Sequence, residues 1–351
     1  MAPPIVVQVV VDKPLAQGFD YLWDAQKLGL EPVIGQVVEV PFGRSALIGV
    51  VIKVSTHSDF DIEKLKEVEA IAPLPPLDPA ALRLMNFASQ YYIHALGETI
   101  IPTIPQMWKK PENWEKIPKK LIAAEEKKKK KSLEEKSEGL ISEAELNADQ
   151  KQALEKIRQG SRGKNEFKAM LLQGQTGSGK TAVFLNWLRE ALSDESGQVL
   201  LLVPEINLTP QLERRVRAYF PEKKMVVLHS GVTEKERGIA WFEAMTGKAQ
   251  IILGTRLAAL TPLPNLRAIV VDEEHDPSYK QQDGIRYSAR DLAIWRAHDV
   301  KVPILLSSAT PSLETWTAAK AGRYEHIRLD QRAQGAGLPK VRLINTRDPQ
   351  N

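Results

Sequence analysis

The segment GQTGSGKT, residues 174–181, limits the possible folds of this chain more than any other stretch. It follows the apolar run AMLLQ and precedes TAVFLNWLREAL, whose apolar residues recur at helical spacing. Glycine leaves room for backbone N–H groups to line a concavity, and the start of a helix adds its dipole, so phosphates bind there without a bulky side chain in the way. The pattern therefore predicts a phosphate-binding loop between a strand and a helix of an α/β fold.

The residue types in this loop indicate which ligand it binds. Lys180 places a positive charge on the outer phosphates of a nucleoside triphosphate, and the hydroxyl of Thr181 is a ligand for Mg²⁺. ATP and Mg²⁺ are therefore the expected cofactors. A chance glycine-rich turn would not explain the strand and the helix on either side. The loop residues expected to bind the nucleotide are Gly174, Gln175, Thr176, Gly177, Ser178, Gly179, Lys180 and Thr181.

Short apolar runs alternate with polar or helical sequence from residue 145 onward. Strands that are apolar throughout are buried on both faces, which is typical of a parallel sheet covered by helices. The runs are KAMLLQG, QVLLLVPE, KMVVLHSG, QIILGT, AIVVDEEH and VPILLSSAT. Their spacing allows right-handed crossover connections and predicts an open α/β fold with helices on both faces of the sheet.

The run AIVVDEEH ends in two acids, Asp272 and Glu273. In enzymes with a phosphate-binding loop, the first acid at a neighbouring strand end holds Mg²⁺ and the second acts as general base on the attacking water. Acidic strand ends are also common on protein surfaces, but the loop upstream favours the catalytic interpretation. We therefore expect Lys180, Asp272 and Glu273 to be catalytic, with Thr181 and Asp272 as Mg²⁺ ligands.

The composition admits an anionic partner. The chain has 351 residues, of which 43% are hydrophobic and 26% charged, enough for two or three soluble domains. Its formal net charge is +4 and its sequence pI about 9.0. Cysteine is absent, so disulfides and thiolate metal sites are excluded and zinc is not expected. The N-terminal stretch lacks a basic leader, and no apolar run is long enough to span a bilayer, so we expect a cytoplasmic protein without a membrane partner.

Changes in composition divide the chain. Short β-branched runs dominate the first part, which also contains a helix predicted to start at Asp78 and Pro79. The next part is rich in Lys and Glu and has little to bury. Its five consecutive lysines, Lys127–Lys131, could bind phosphates, or they face solvent as charge runs usually do. The predicted intervals are a β-rich domain (1–104), a Lys/Glu-rich linker (105–144), the α/β lobe (145–330) and a C-terminal tail (331–351).

Several segments, taken in order, resemble the motor lobe of superfamily 2 helicases. LNADQKQAL resembles the segment that contacts adenine, with Gln150 as the candidate contact. LLVPEINLTPQ, VLHSG and IILGTR resemble segments that touch the DNA backbone, and SSATP resembles the segment that couples the nucleotide site to DNA. The longer phrases GTRLAALTPLPNL and DEEHDPSYKQQDGIRYSARDLA are similar to the PriA family of replication-restart helicases, as are FDYLW and VPFGRSALIGVV. The resemblance covers 1–104 and 145–330 and implies a RecA-like helicase lobe preceded by a small 3′-DNA-end-binding domain.

The resemblance implies that residues 276–290 form an aromatic-rich loop that senses single-stranded DNA and transmits binding to the ATP site. Tyr279 and Tyr287 would stack on bases. Ile285 stands where the family often has an aromatic residue, so one stacking position is expected to be lost. The cations expected to meet phosphates are Lys280, Arg286 and Arg290. The residues expected to couple the two sites are His275, Ser308 and Thr310.

A second DNA site is implied near the N-terminus. The positions that match the family's pocket for a terminal nucleotide are Phe19, Asp20, Gly43 and Lys66. Asp20 could accept a hydrogen bond from a free 3′ hydroxyl, and Gly43 would allow close backbone approach. The alternative, a core aromatic residue of a small barrel, suits Tyr21 better.

The resemblance implies an ATP-dependent 3′-to-5′ DNA helicase that acts at stalled replication forks. The implied partners are fork DNA, single-stranded DNA with a 3′ end, other primosome proteins and single-strand-binding protein. Two departures stand out: the linker replaces the family's winged-helix domain, and the second motor lobe with its cysteine-rich zinc module is missing. An arginine from that lobe would stabilise the charge that develops during phosphoryl transfer, and such an arginine raises the rate about 10³–10⁵-fold. We therefore expect this chain alone to be poorly active. The alternative is a non-catalytic fork-binding fragment with a vestigial motor lobe; a generic kinase or transporter ATPase would lack SSATP and the loop after DEEH.

Overall fold

The computed structural model describes most of the chain. Two predicted features, the lysine run Lys127–Lys131 and nearly all of the C-terminal tail, lie outside the described residues. The residues described are 3–117, 119, 121–122, 146–161, 166–205 and 208–331.

The N-terminal part forms a five-stranded antiparallel sheet, as the β-branched runs predict. Its strands are β1 (Ile5–Val11), β2 (Phe19–Trp23), β3 (Val37–Phe42), β4 (Ser45–Ser55) and β5 (Ala70–Ile71), in the spatial order β2-β1-β4-β3-β5. Alternate residues such as Val7, Val9 and Tyr21 fill a small core on one face. The prediction of a β-rich domain is confirmed.

Helices pack on the second face of this sheet. They are α2 (Pro79–Tyr91) and α3 (Leu96–Ile100), whereas the short helix α1 (Ala25–Leu28) packs against the small core on the first face. Helix α2 starts as predicted, because the Asp78 carboxylate accepts a hydrogen bond from the backbone N–H of Ala81 and Pro79 occupies the first turn. A Cβ on Gly97 would lie 1.8 Å from the carbonyl oxygen of Val11, so only glycine lets α3 approach β1 this closely.

Within the described residues, the second part forms a seven-stranded parallel sheet. Its strands are β6 (Lys168–Gly174), β7 (Gln198–Leu202), β8 (Met225–Leu228), β9 (Ile251–Gly254), β10 (Leu266–Val271), β11 (Pro303–Ser308) and β12 (Glu325–Leu329), in the order β12-β6-β11-β10-β7-β9-β8. Its helices are α4 (Ala148–Gly160), α5 (Lys180–Ala191), α6 (Pro210–Tyr219), α7 (Glu234–Met245), α8 (Ala289–Asp299) and α9 (Leu313–Lys320).

Both faces of this sheet are buried. Along β10, Ile269 and Val271 belong to one hydrophobic core and Val270 to another, so successive side chains enter opposite cores. The six predicted strands and the α/β fold are confirmed. Strand β12 was not predicted, because EHIRL alternates polar and apolar residues and lies at the sheet edge beside β6.

The N-terminal part packs against the lobe through α2 and α8. The rings of Phe87 and Trp295 stack with centroids 4.4 Å apart. Arg83 forms an ion pair with Asp299 at 2.8 Å. No helix among the described residues has both the length and the apolar character that a bilayer crossing requires.

The segment directly after residue 104 is not an exposed linker, which corrects the sequence-based expectation for its first dozen residues. Trp108 is fully buried, and its Nε1 donates to the carbonyl oxygen of Gly238 in α7 at 3.1 Å. Trp114 Nε1 donates in turn to the Trp108 carbonyl oxygen. The two indoles bury enough apolar area to pack this segment against the lobe, although most of the residues around them are polar.

Candidate functional site

The phosphate-binding loop joins β6 to α5. Gly177 and Gly179 have φ of +82° and +86°, left-handed values that favour glycine. Lys180 is the first residue of α5, and its Nζ donates to the carbonyl oxygen of Gly174 at 2.9 Å. The same Nζ lies 3.4 Å from Oε1 of Glu273. The ammonium is therefore held between the loop and the end of β10.

The residues of this loop fit a triphosphate. The Ser178 side chain is buried against Gly174, and its hydroxyl has no hydrogen-bond partner among the described residues, so the backbone of the loop is left to face the ligand. Gly179 caps α5 without a side-chain hydrogen bond, so the N–H groups of the first turn are available to an anion. Among the described residues no group of three or more His, Cys, Asp or Glu side chains could hold a metal ion alone. Mg²⁺ would therefore need phosphate oxygens in addition to Thr181 and Asp272.

The two acids follow β10 at the carboxyl edge of the sheet, beside the loop. The Asp272 carboxylate accepts hydrogen bonds from the Ser307 hydroxyl at 2.8 Å and from the Glu273 N–H at 3.1 Å. The pKa of Asp272 is raised to about 6, chiefly by burial and in smaller part by the Glu273 charge, against the lowering effects of the Ser307 hydrogen bond and of Lys180. Glu273 has φ of +43°, unusual for a residue with a side chain, so the backbone is strained where its carboxylate faces Lys180.

Asp272→Asn is expected to stabilise the protein at neutral pH when EDTA removes divalent cations. The folded state keeps the Asp272 proton up to a pH of about 6, whereas the unfolded chain loses it near 3.8. The free energy of unfolding of the unmodified protein therefore falls as pH rises through this window, by an amount on the order of 2 kcal/mol. The amide of the variant does not ionise, so the variant keeps this stability.

Urea unfolding of both proteins at several pH values measures this difference. The two proteins should differ least near pH 4, and the gap should widen and then level off above pH 6. The same change at the exposed Asp59 is the control and should change the stability by less than about 0.5 kcal/mol. A gap at Asp272 that is equally large at pH 4 and pH 7 would contradict the prediction.

The residues expected to couple the nucleotide site to DNA lie in contact with one another. His275 Nδ1 is 2.8 Å from the Ser308 hydroxyl oxygen, which also accepts from the Thr310 N–H at 3.0 Å. The same Nδ1 lies 3.7 Å from Oε2 of Glu273. A continuous set of contacts thus runs from Lys180 through the acids to the segment after β11.

The two tyrosines of the loop 276–290 are buried, which corrects the expectation that they stack on bases. Tyr279 is 2% exposed, and its hydroxyl donates to the carbonyl oxygen of Asp272 at 2.6 Å. Tyr287 is 4% exposed, and its hydroxyl donates to the carbonyl oxygen of Arg256 at 3.2 Å. Burial raises the pKa of both hydroxyls. Ile285 is also buried, so the rings and this side chain anchor the loop to the lobe.

The cations of the loop divide into exposed and paired residues. Lys280 and Arg286 are exposed and available to an anionic ligand. Arg290 is only 11% exposed; its guanidinium pairs with Glu274 at 3.1 Å and with Asp291 at 2.8 Å. The expectation that Arg290 meets phosphates is therefore not supported in this structure, because a buried carboxylate already holds its charge.

Gln150 also has a different environment from the one expected. Its carbonyl oxygen accepts from the Asn147 N–H and its backbone N–H donates to the Asn147 side chain, which together form a capping box at the start of α4. Its amide nitrogen donates to the carbonyl oxygen of Ser178 at 2.9 Å. Both ends of the side chain are engaged, so Gln150 supports the phosphate-binding loop instead of presenting its amide to adenine.

The N-terminal candidates form one contiguous group and one separate carboxylate. Lys66 Nζ lies 3.4 Å from the carbonyl oxygen of Gly43, and the Phe19 ring packs edge-on against Phe42, the neighbour of Gly43. Asp20 follows Phe19 on β2, so its side chain projects to the opposite face. There its carboxylate accepts from the Ser58 hydroxyl at 2.6 Å and from Gln8 at 3.5 Å. Tyr21 is buried in the core, as expected.

Two family models match the chain. Residues 147–318 match the DEAD/DEAH box helicase family, and residues 8–105 match the 3′DNA-binding domain (3′BD). Replication restart protein PriA of Haemophilus influenzae is 33% identical over 385 residues, covering 93% of this chain and 52% of that protein. The PriA of Treponema pallidum is 31% identical over 350 residues, covering 98% of this chain and 50% of that protein. The chain belongs to the PriA family.

The chain spans about half the length of the PriA relatives it matches over nearly its whole extent. Among solved structures, RecG bound to a three-way DNA junction has a TM-score of 0.41 and 21% sequence identity, covering 73% of this chain and 30% of that chain. That likeness is too distant to bear on function.

One buried residue of this PriA-family chain was missed by the sequence predictions. Glu274 is completely buried, and its carboxylate accepts from Arg290, from the N–H and hydroxyl of Ser312, and from the Thr315 hydroxyl. It joins the end of the loop 276–290 to the start of α9. The third acid of DEEH was the signal in the sequence. A carboxylate that is buried beside Asp272 and Glu273 requires donors of its own, because a buried charge without a partner is strongly destabilising.

Proposed function

We propose that the chain binds ATP·Mg²⁺ and DNA and that it forms part of a 3′-to-5′ DNA helicase of replication restart. DNA forks and single strands with a 3′ end are its proposed nucleic-acid ligands. The proposal includes the protein partners implied by the resemblance, which are other primosome proteins and single-strand-binding protein, and a cytoplasmic location.

One hydrogen bond carries this proposal. The hydroxyl of Tyr279 donates to the backbone carbonyl of Asp272, the acid proposed to hold Mg²⁺, at 2.6 Å. A shift of the loop 276–290 would therefore displace this acid directly, without an intermediate element. Loop and nucleotide site are one mechanical unit, so a ligand that binds the loop can alter the affinity for nucleotide.

The side chains around the loop support phosphoryl transfer. Lys180 would leave Glu273 for the outer phosphates, since both compete for the same ammonium. The freed Glu273 carboxylate, 24% exposed, would then accept the proton of the attacking water. Bound Mg²⁺ would neutralise charge that develops on the phosphate oxygens.

The DNA-facing surface is proposed to lie on the exposed part of the loop. Lys280 and Arg286 project there, and the loop is fastened to the segment IILGTR through Arg256, which donates to the Gln281 side chain at 2.6 Å and to the Ser278 carbonyl at 3.2 Å. Cations on a loop fixed in this way can meet a phosphate backbone at little entropic cost. The cluster of Phe19, Gly43 and Lys66 is the proposed second contact, for the strand end.

Saturating fork DNA is expected to change the affinity of the chain for a fluorescent ATP analogue by about 5-fold or more, within the usual range of coupling between two sites. Anisotropy titrations with and without DNA measure the change, and no turnover is needed. The double variant Lys280→Ala/Arg286→Ala should keep the DNA-free nucleotide affinity and lose most of the DNA effect.

Two results would count against the proposal. Equal nucleotide affinity in both titrations, with DNA binding demonstrated separately, would remove the link between the sites. Absence of nucleotide binding in any condition would favour the alternative of a fork-binding module with a vestigial motor lobe. Lys235→Ala, an exposed lysine on α7, is the control for general loss of positive charge.

A further inference from the structure

A cavity of about 260 Å³ lies between the loop 276–290, α7 and the segment that follows α3. This volume is just under the usual range for sites of drug-sized ligands, about 300–1,000 Å³, and suits a group of the size of one nucleobase. Leu257, 41% exposed, and His229 lie at its border, and Ile285 and Pro102 contribute apolar surface. No residue named above as part of the nucleotide site lines it.

Two residues that line this cavity carry a buried donor without an acceptor among the described residues. The donors are the indole Nε1 of Trp241, a residue that is 2% exposed, and the Nε of Arg237. The terminal nitrogen of Arg237 pairs with Glu234, so the guanidinium is fixed while its Nε stays without a partner. A buried unsatisfied donor costs about 1–3 kcal/mol, so a ligand whose acceptor atoms reached these donors would be stabilised.

The charges around the cavity exclude a strong anion. The cations Lys109 and Arg237 are outnumbered by the carboxylates of Glu98, Glu234 and Asp283. Burial also lowers the pKa of the Lys109 ammonium. A phosphate or carboxylate would meet net repulsion, whereas an uncharged ring with carbonyl oxygens would satisfy both donors and cover the apolar wall. A nucleobase has this chemistry.

The position of the cavity indicates where such a base would come from. His229 belongs to VLHSG, and Leu257 follows Arg256 of IILGTR, two of the three segments expected to touch the DNA backbone. We propose that this cavity receives one unstacked nucleobase from single-stranded DNA bound across the lobe. The inference rests on the proposed DNA binding. Turning one base out of a flexible single strand costs little compared with a duplex.

A 2-aminopurine scan tests the proposal with the whole chain. A short dT oligonucleotide carries one 2-aminopurine, which is moved along the strand one position at a time, and fluorescence is read with and without protein. We expect a several-fold rise at one position, because the base leaves the stack there. An abasic site at that position should weaken binding by about tenfold, as loss of two ordinary hydrogen bonds predicts.

Two variants and their controls assign the signal to the cavity. Trp241→Phe removes the indole N–H, and Leu257→Trp fills the entrance; each should abolish the position-specific rise while the oligonucleotide still binds. The controls are Trp23→Phe and Leu30→Trp in the N-terminal part, which should leave the rise unchanged. Thermal melting confirms that each variant is folded.

The outcomes separate this inference from the proposed function. If the chain does not bind the oligonucleotide at all, the proposed function fails first. DNA binding with a uniform fluorescence change along the strand would overturn only the base assignment, and so would a position-specific rise that survives both cavity variants. A free deoxynucleoside that binds at the cavity, while no strand position responds, would also overturn it.

Discussion

Lys180→Ala is expected to weaken binding of ATP·Mg²⁺ by at least about 100-fold, because hydrogen bonds to charged groups contribute roughly 1.5–3 kcal/mol each and the ammonium can make two to the outer phosphates. Lys180 is already positioned for this role, 2.9 Å from the Gly174 carbonyl oxygen and 3.4 Å from Glu273. Anisotropy of a fluorescent ATP analogue measures the loss directly. Hydrolysis is a poorer readout, since its rate also depends on steps that follow nucleotide binding.

A control variant distinguishes the effect of the Lys180 charge from the effect of removing any positive charge from the protein. Lys235→Ala removes an exposed lysine of α7 and should change nucleotide affinity by less than a factor of about 2, as expected for a surface substitution. Fold loss is not the expected cause in Lys180→Ala, because Glu273, the carboxylate left without its counterion, is 24% exposed and can be solvated. Unchanged nucleotide affinity in a folded Lys180→Ala protein would remove the phosphate-site assignment.

The strands and the loop GQTGSGKT between β6 and α5 could be predicted from the sequence because both depend on continuous local patterns. A run such as AIVVDEEH is apolar on both faces, which identifies a central parallel strand, and the carboxyl ends of such strands meet at one edge. The short distance between Lys180 and Glu273, 3.4 Å, is consistent with that rule. Strand β12 was not predicted, because an edge strand buries only alternate residues and EHIRL has no apolar run.

The errors concern polar side chains whose partners are far away in the sequence. Tyr279 and Tyr287 lie in a polar segment, where aromatic rings suggest an exposed binding surface; their burial depends on hydroxyl bonds to the carbonyls of Asp272 and Arg256. Gln150 was expected to contact a ligand and instead fastens Ser178. Neither outcome can be derived from spacing, since the acceptors are backbone atoms that any residue type supplies.

Arg290→Ala is expected to lower the free energy of unfolding by about 3–5 kcal/mol, the usual cost of removing one partner from a buried ion pair. Glu274 has no exposed side-chain surface, so its carboxylate would lose its cation without gaining water. Ser312 and Thr315 would still donate to it, which is why the protein should still fold. Urea unfolding measures the loss, and Arg286→Ala, an exposed arginine of the same loop, should change the stability by less than about 0.5 kcal/mol.

A double-mutant cycle identifies the pair as the cause. Glu274→Gln keeps the shape of the side chain and removes the charge, so the double variant Glu274→Gln/Arg290→Ala should be clearly more stable than the sum of the single losses predicts. Coupling of less than about 0.5 kcal/mol would mean that the two residues act independently. Strong coupling would show that Arg290 and Glu274 fasten one end of the loop proposed to meet DNA, in addition to the hydrogen bond from Tyr279 to Asp272 near its other end. A loop fixed in this way has little freedom to move alone, so displacement by DNA would have to move the acids of the nucleotide site with it.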